Sequence, residues 1–131
     1  MVTHKFSHMY ITKNFKWSEF NSKDGAKLPE KYRINIAMLA TNLQVIRGRI
    51  NGPIIVKSGF RSFGHNKKIG GALNSQHLVG KAADISSSKY SPYDLEQIIL
   101  NLMDKNMIAK GGVKCYWWGV HYDIRGYKIT W

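Results

Sequence analysis

Ser75-Gln76-His77-Leu78-Val79-Gly80-Lys81-Ala82-Ala83-Asp84 is the stretch on which the reading of this chain turns. It sets a histidine and an aspartate seven residues apart, with Gly80 and two alanines between them. That step could also fit a helix, but a glycine inside one costs about 1 kcal/mol relative to alanine. A bend is therefore expected between His77 and Asp84. A second segment, Val120-His121-Tyr122-Asp123, carries the matching chemistry. The whole chain has only five histidines and eight acidic residues, and these two segments hold two of each. Zinc takes neutral imidazole nitrogens and carboxylate oxygens, and a hydrolytic site keeps three protein ligands and an open position. His77, Asp84 and His121 are the candidate ligands of one zinc ion.

The rest of the pattern supplies a frame. Val120, Tyr122 and Ile124 point to one side of an alternating segment, and His121, Asp123 and Arg125 point to the other. Residues two apart on a strand lie roughly 6.5–7 Å apart, so His121 and Asp123 can serve one site without both binding the metal. Gly126 allows a turn, after which Tyr127, Ile129 and Trp131 alternate again. Upstream, Tyr32, Ile36, Leu39, Leu43 and Ile46 recur at helical steps, with Pro29 ahead of them and Asn51-Gly52-Pro53 as the stop. Ile54-Ile55-Val56 reads as a buried strand. Ser91 caps a second helix with Pro92 in its first position, and Leu95, Ile98, Leu102 and Met103 form its expected buried face. Gly111-Gly112 ends that pattern. Phe15 to Phe20 reads as a helical turn docking aromatics, followed by a polar loop from Asn21 to Lys27. The expected architecture is α+β: two or three helices packed on a small, mainly antiparallel sheet, with a zinc site in a cleft. At 131 residues this is one domain, with residues 1–13 expected to be a loosely ordered N-terminal segment.

Composition narrows the function classes. No apolar run approaches the roughly 18 residues that span a membrane. The first residues lack the apolar core of a secretory signal, so action outside the cytoplasm would need delivery by a phage or release from a lysing cell. The net charge of +12 favours polyanions, such as anionic cell-wall polymers. The basic residues are scattered, however, and form no nucleic-acid motif, so nucleic acid is not the expected partner. The single Cys115 excludes an internal disulfide and reads as a small core residue.

Ser58-Gly59-Phe60-Arg61-Ser62, Asn66, Gly70-Gly71-Ala72, the Ser75–Asp84 stretch and Val120-His121-Tyr122-Asp123-Ile124-Arg125 together resemble the D-alanyl-D-alanine carboxypeptidase family of zinc peptidases. That family shares its fold core with lysostaphin-type enzymes and the hedgehog signalling domain. The resemblance covers nearly the whole chain, including the aromatic-Ser-Glu-Phe segment at Phe15–Phe20. It implies that His77, Asp84 and His121 hold zinc and that metal-activated water cleaves a peptide bond in peptidoglycan, as a carboxypeptidase or an endopeptidase acting on stem peptides. It makes Arg61 a catalytic and substrate-binding residue, through a substrate carboxylate or the charged intermediate; the plainer reading of Arg61 is a structural ion pair. Ser75 lines the pocket or orients His77, and Gln76 contributes backbone shape.

The general base departs from the pattern. Many relatives place an acid three residues before the last ligand, where this chain has Trp118. Asp123 is then the catalytic candidate, either as the proton acceptor or as the residue that orients a ligand, and a His-x-Asp-ending branch of the family resembles the chain most. Trp118 also motivates the alternative of a non-catalytic, zinc-containing wall-binding domain. His65 reads as a surface or loop residue, His4 and His8 carry no motif, and Tyr116, Trp117 and Trp118 wall the cleft or fill the core. A monomer is expected.

Overall fold

A computed structural model describes residues 8–131. His4 and the first seven residues of the expected loose segment lie outside the described residues. Within residues 8–13, Tyr10 bridges Lys16, the Ile11 amide donates to the Phe15 carbonyl, and the Thr12 hydroxyl donates to Gln44.

Helix α1 (Arg33–Ile50) follows a 3-10 turn at Glu30–Tyr32, with Pro29 as the residue that enters the turn. Its buried residues, Ile36, Leu39, Ala40, Leu43, Ile46 and Ile50, fall on one face at steps of three and four. Asn51 ends it in the left-handed conformation, at φ 51°. Strand β1 (Ile54–Ser58) leads to the six-residue helix α2 (Phe63–Lys68), capped by the Ser62 hydroxyl. A 3-10 turn at Gln76–Val79 ends on Gly80 at φ 74°, so the bend expected there is present. Strand β2 (Ala82–Ser87), helix α3 (Pro92–Asp104), and strands β3 (Gly112–Tyr116), β4 (Gly119–Asp123) and β5 (Ile129–Thr130) complete the order.

Helix α3 starts as expected, with the Ser91 hydroxyl accepting from the Asp94 amide and Pro92 in the first turn. Its buried face differs by one residue. Ile99 is fully buried beside Leu95, Leu102 and Met103, and Ile98 is only partly buried. Adjacent apolar residues leave the helix rotation open by one position in sequence, and packing on the sheet decides it.

The sheet runs β1-β2-β4-β3-β5 and is antiparallel except for the β3–β5 pair. One face of it, through Ala83, Ile85, Val113, Val120 and Tyr122, joins α1, α3, Phe15 and Phe20 in a single core. The other face carries Asp84, His121 and Asp123. The architecture is the α+β arrangement expected. Cys115 is half-buried outside that core, and Trp117 sits 91% exposed at the β3–β4 turn, neither in the core nor on the cleft wall.

Candidate metal centre

Strand register brings the donors together. Asp84 on β2 and His121 on β4 are direct antiparallel partners, which sets their side chains about 5 Å apart on one face. His77 arrives from the 3-10 turn. Ser75 caps that turn, its hydroxyl accepting from the His77 amide at 3.2 Å. The His77 carbonyl in turn accepts from the Arg61 amide at 3.0 Å. Gly59 must be a glycine for this corner to close, since a Cβ there would lie 2.7 Å from the Phe20 Cα.

The imidazole and carboxylate donor atoms of His77, Asp84 and His121 lie within 4.8 Å of one another, and all three residues are buried. Each ring is held through its far nitrogen. His77 Nδ1 is 2.7 Å from the Gly59 carbonyl, which can only accept, so the proton resides on Nδ1. His121 Nε2 is 2.8 Å from Asp123 Oδ2 and donates to that carboxylate. The near nitrogens, His77 Nε2 and His121 Nδ1, then carry lone pairs, and they face Asp84 Oδ1 at 3.2 and 3.3 Å. Three acceptors aimed at one another suit a cation. Their chemistry, two imidazoles and a carboxylate with both far nitrogens anchored, is that of a zinc site. The three residues fit one zinc ion.

Charge in the surroundings is paired. Arg61 donates from Nη2 to Asp84 Oδ2 at 2.9 Å, from Nε to Ser58 and from Nη1 to buried Asn66. Burial would raise the Asp84 pKa, but a proton on the near nitrogen of His121 or His77 would outweigh it and hold the carboxyl well below its usual range. Burial lowers the His77 pKa and so favours the neutral ring, the form able to bind a metal. Burial also opposes charge on His121, yet its contacts with Asp123 and Asp84 raise that pKa, so a proton competes with a metal there.

Asp123 is fully buried behind His121 and does not line the cleft. Its Oδ1 accepts from the Gly112 amide (2.8 Å), the Arg125 amide (3.1 Å) and Arg125 Nε (2.9 Å). Its Oδ2 accepts from Arg125 Nη2 (2.6 Å) as well as from His121. Gly111 and Gly112 make this seat possible. A Cβ on Gly111 would overlap the Asp123 carbonyl, and one on Gly112 would lie 2.5 Å from Asp123 Oδ2.

The site opens into a cleft of about 550 Å³. Arg61, Ser75, Gln76 and the Gly70–Ala72 loop form part of its wall, Tyr116 and Trp118 another, and Arg125, Ile129 and Trp131 a third. Tyr116 and Trp118 stack at 4.9 Å, nearly parallel. Among the described residues, Asp84 supplies the one side-chain carboxylate on the wall. His65 sits half-buried on α2, away from it. Sequence reasoning missed two things: the Gly59 carbonyl, which carries no side-chain signal, and the cleft position of Ile129 and Trp131, for which the alternation from Tyr127 was the available hint.

Residues 9–123 match the family model described as Peptidase M15. Over 94 residues the chain is 33% identical to the zinc D-Ala-D-Ala carboxypeptidase of Streptomyces albus G, covering 67% of this chain and 37% of that protein. The chain thus spans little more than a third of that relative's length. The span matched by the family model, residues 9–123, contains all three donors together with Arg61, Ser75 and Asp123. On that match, and on a donor set built for zinc, the chain belongs to the peptidase M15 family.

Proposed function

We propose that this chain is a zinc-dependent peptidase acting on D-alanyl bonds of peptidoglycan stem peptides. The observation that carries the reading is the pair of anchored imidazoles: each far nitrogen is committed to an oxygen, and each near nitrogen faces Asp84 Oδ1. A zinc ion held there supplies Lewis-acid polarisation of a scissile carbonyl and of water. His77, Asp84 and His121 are its proposed ligands. Asp123 acts as a positioning residue, since its five hydrogen bonds and full burial favour orienting His121 over exchanging protons with the cleft. Arg61 holds the second oxygen of Asp84 and turns positive charge toward the cleft, where it favours a substrate carboxylate or the developing oxyanion. Ser75 fixes the His77 backbone and lines the substrate path.

Carboxypeptidase action is the primary form, in keeping with the similar Streptomyces protein. Endopeptidase cleavage of a stem or cross-link, as in a phage lysis enzyme, uses the same apparatus and remains part of the proposal. All three donors come from one chain, which favours a working monomer. The basic surface favours anionic walls, with binding that weakens as salt rises. A second reading, a non-catalytic zinc-containing wall-binding domain, is favoured by Trp118 and by the enclosure of Asp123. Incubating the zinc-loaded protein with purified muropeptides, followed by mass spectrometry, separates the two. Loss of one D-alanine, or cross-link opening, that depends on His77 and Asp84 supports the enzyme. Unchanged muropeptides with retained zinc and wall binding support the binding domain.

A further inference from the structure

The family match stops at residue 123, yet Arg125, Ile129 and Trp131 line the cleft. We propose that Trp131, with Ile129 beside it, forms an apolar specificity subsite that takes the small apolar side chain of the substrate residue at the scissile bond. The proposal rests on the peptidase reading above and names the substrate feature that this wall selects.

The wall is held in place from several directions. Strand β5 pairs with β3 through Gly112–Ile129 and Val113–Thr130, and the Ile129 amide donates to the Gly111 carbonyl at 3.2 Å. Lys114 Nζ donates to the Trp131 carbonyl at 2.9 Å. The indole meets the His121 ring edge-on at 5.3 Å, and the Arg125 guanidinium lies over it at 5.4 Å. Gly112 provides the room, since a Cβ there would come within 2.9 Å of the indole. The ring is therefore fixed beside a proposed ligand by backbone pairing.

Its chemistry is one-sided. The charge of Arg125 is directed at Asp123 through Nε and Nη2. What remains toward solvent is apolar: Trp131 is 54% exposed and Ile129 39% exposed. Arg61, Ser75 and Gln76 give other parts of the cleft their polar groups. A peptide laid across the metal centre would meet polar groups for its main chain and an indole for its side chain. Burying one methyl against such a surface favours binding by about fourfold, and by tenfold or more where the pocket confines it.

The test compares kcat/KM of the zinc-loaded protein on N-acylated peptides that carry D-alanine or glycine at each side of the bond in turn. Wild type should prefer D-alanine at one position by about fourfold or more. Trp131→Ala should lose that preference with zinc content unchanged, Trp131→Phe should keep most of it, and Trp117→Ala, altered at the exposed β3–β4 turn, should keep all of it. An unchanged preference in Trp131→Ala overturns the subsite. So does loss of zinc in that variant, because the ring would then be supporting His121. If wild type cleaves none of these peptides, the peptidase reading fails and the subsite is judged on binding alone. A larger NMR shift of the Trp131 indole N–H with N-acetyl-D-alanyl-D-alanine than with N-acetylglycylglycine supports it, and equal or absent shifts overturn it.

Discussion

Replacing Asp123 by asparagine tests whether the chain presets the proposed ligating nitrogen of His121. The carboxylate accepts three hydrogen bonds at Oδ1 and two at Oδ2, and it donates none. An amide must put its NH2 group at one of these positions. At Oδ1 it would oppose three donors, so it goes to Oδ2, against Arg125 Nη2 and His121 Nε2. His121 can relieve its half of the conflict by moving its proton to Nδ1 and accepting at Nε2. Nδ1 is the atom that faces Asp84 Oδ1 at 3.3 Å, so the lone pair offered to a metal is lost. Loss of such a supporting partner lowers metal affinity by about 10–100-fold, and a tautomer pinned the wrong way belongs at the upper end. Breaking a buried ion pair costs about 3–5 kcal/mol, reduced here to about 2–3 kcal/mol because the Arg125 side chain is 19% exposed and can turn to water. Chelator competition gives the zinc affinity, and thermal melting of the metal-free proteins gives the stability. An Asp123→Asn variant that binds zinc within about twofold of wild type would falsify the positioning role.

Three further outcomes follow from the same geometry. Gly111→Ala forces a methyl onto the Asp123 carbonyl and should cost about 3 kcal/mol or more, read as a fall of roughly 10 °C in melting temperature; a shift under about 2 °C refutes the packing. Zinc at a hundred times its Kd should stabilise the protein by about 2.7 kcal/mol, reversed by a chelator and absent in His77→Ala, and an equal gain in that variant would remove His77 from the site. Hydroxyl hydrogen bonds from Ser22 and Ser62 and the Ala26 amide lower the Asp24 pKa to about 2. A lowered carboxylate pKa stabilises the fold above its unfolded value of 3.8, and this contribution fades as pH falls through about 2. NMR titration of Asp24 should thus show a midpoint near 2, and Asp24→Asn should flatten stability between pH 4 and 2; a midpoint near 3.8 refutes the loop tether.

Much of the site was legible because its elements have strong periods. The alternation from Val120 to Arg125 separated a core side from a polar side, and Gly80 marked the bend that lets His77 and Asp84 meet. The helical steps from Tyr32 to Ile46 and the Ser91-Pro92 start needed only local rules. Other features depend on tertiary contact. Ile98 and Ile99 are equally apolar, so only packing on the sheet could choose between them. The Trp117 and Trp118 side chains differ in burial because a tight turn sends one to water and one to the cleft. Asp123 could be placed near His121 but not behind it, because the three donors that fill Oδ1 include the Gly112 amide from a neighbouring strand. The Gly59 carbonyl, a backbone atom, leaves no mark in sequence at all.

The electrostatics of the centre join these pieces to the proposed substrate. Two carboxylates lie buried at the site, and each is matched by one guanidinium: Arg61 on Asp84 and Arg125 on Asp123. With neutral imidazoles the four charges sum to zero, so the protein groups carry no net charge to cancel that of a bound metal ion. A divalent ion added to such a balanced set is not neutralised by its own ligands, and the positive charge it brings is felt in the cleft. Among the described residues the wall offers no free side-chain carboxylate to offset it, since Asp84 already faces both rings and pairs with Arg61. A ligand with a carboxylate close to its scissile carbonyl therefore gains from the metal and from Arg61 together, whereas an amidated end gains less. Peptides ending in a free carboxylate should accordingly bind more tightly than their amides, by about the 10–100-fold that one charge-assisted contact of roughly 1.5–3 kcal/mol confers. The comparison is made by competition against muropeptide cleavage, with Arg61→Lys as the second arm. Equal binding of acid and amide would mean that the cleft reads the middle of a stem, and would favour endopeptidase action over removal of a terminal residue.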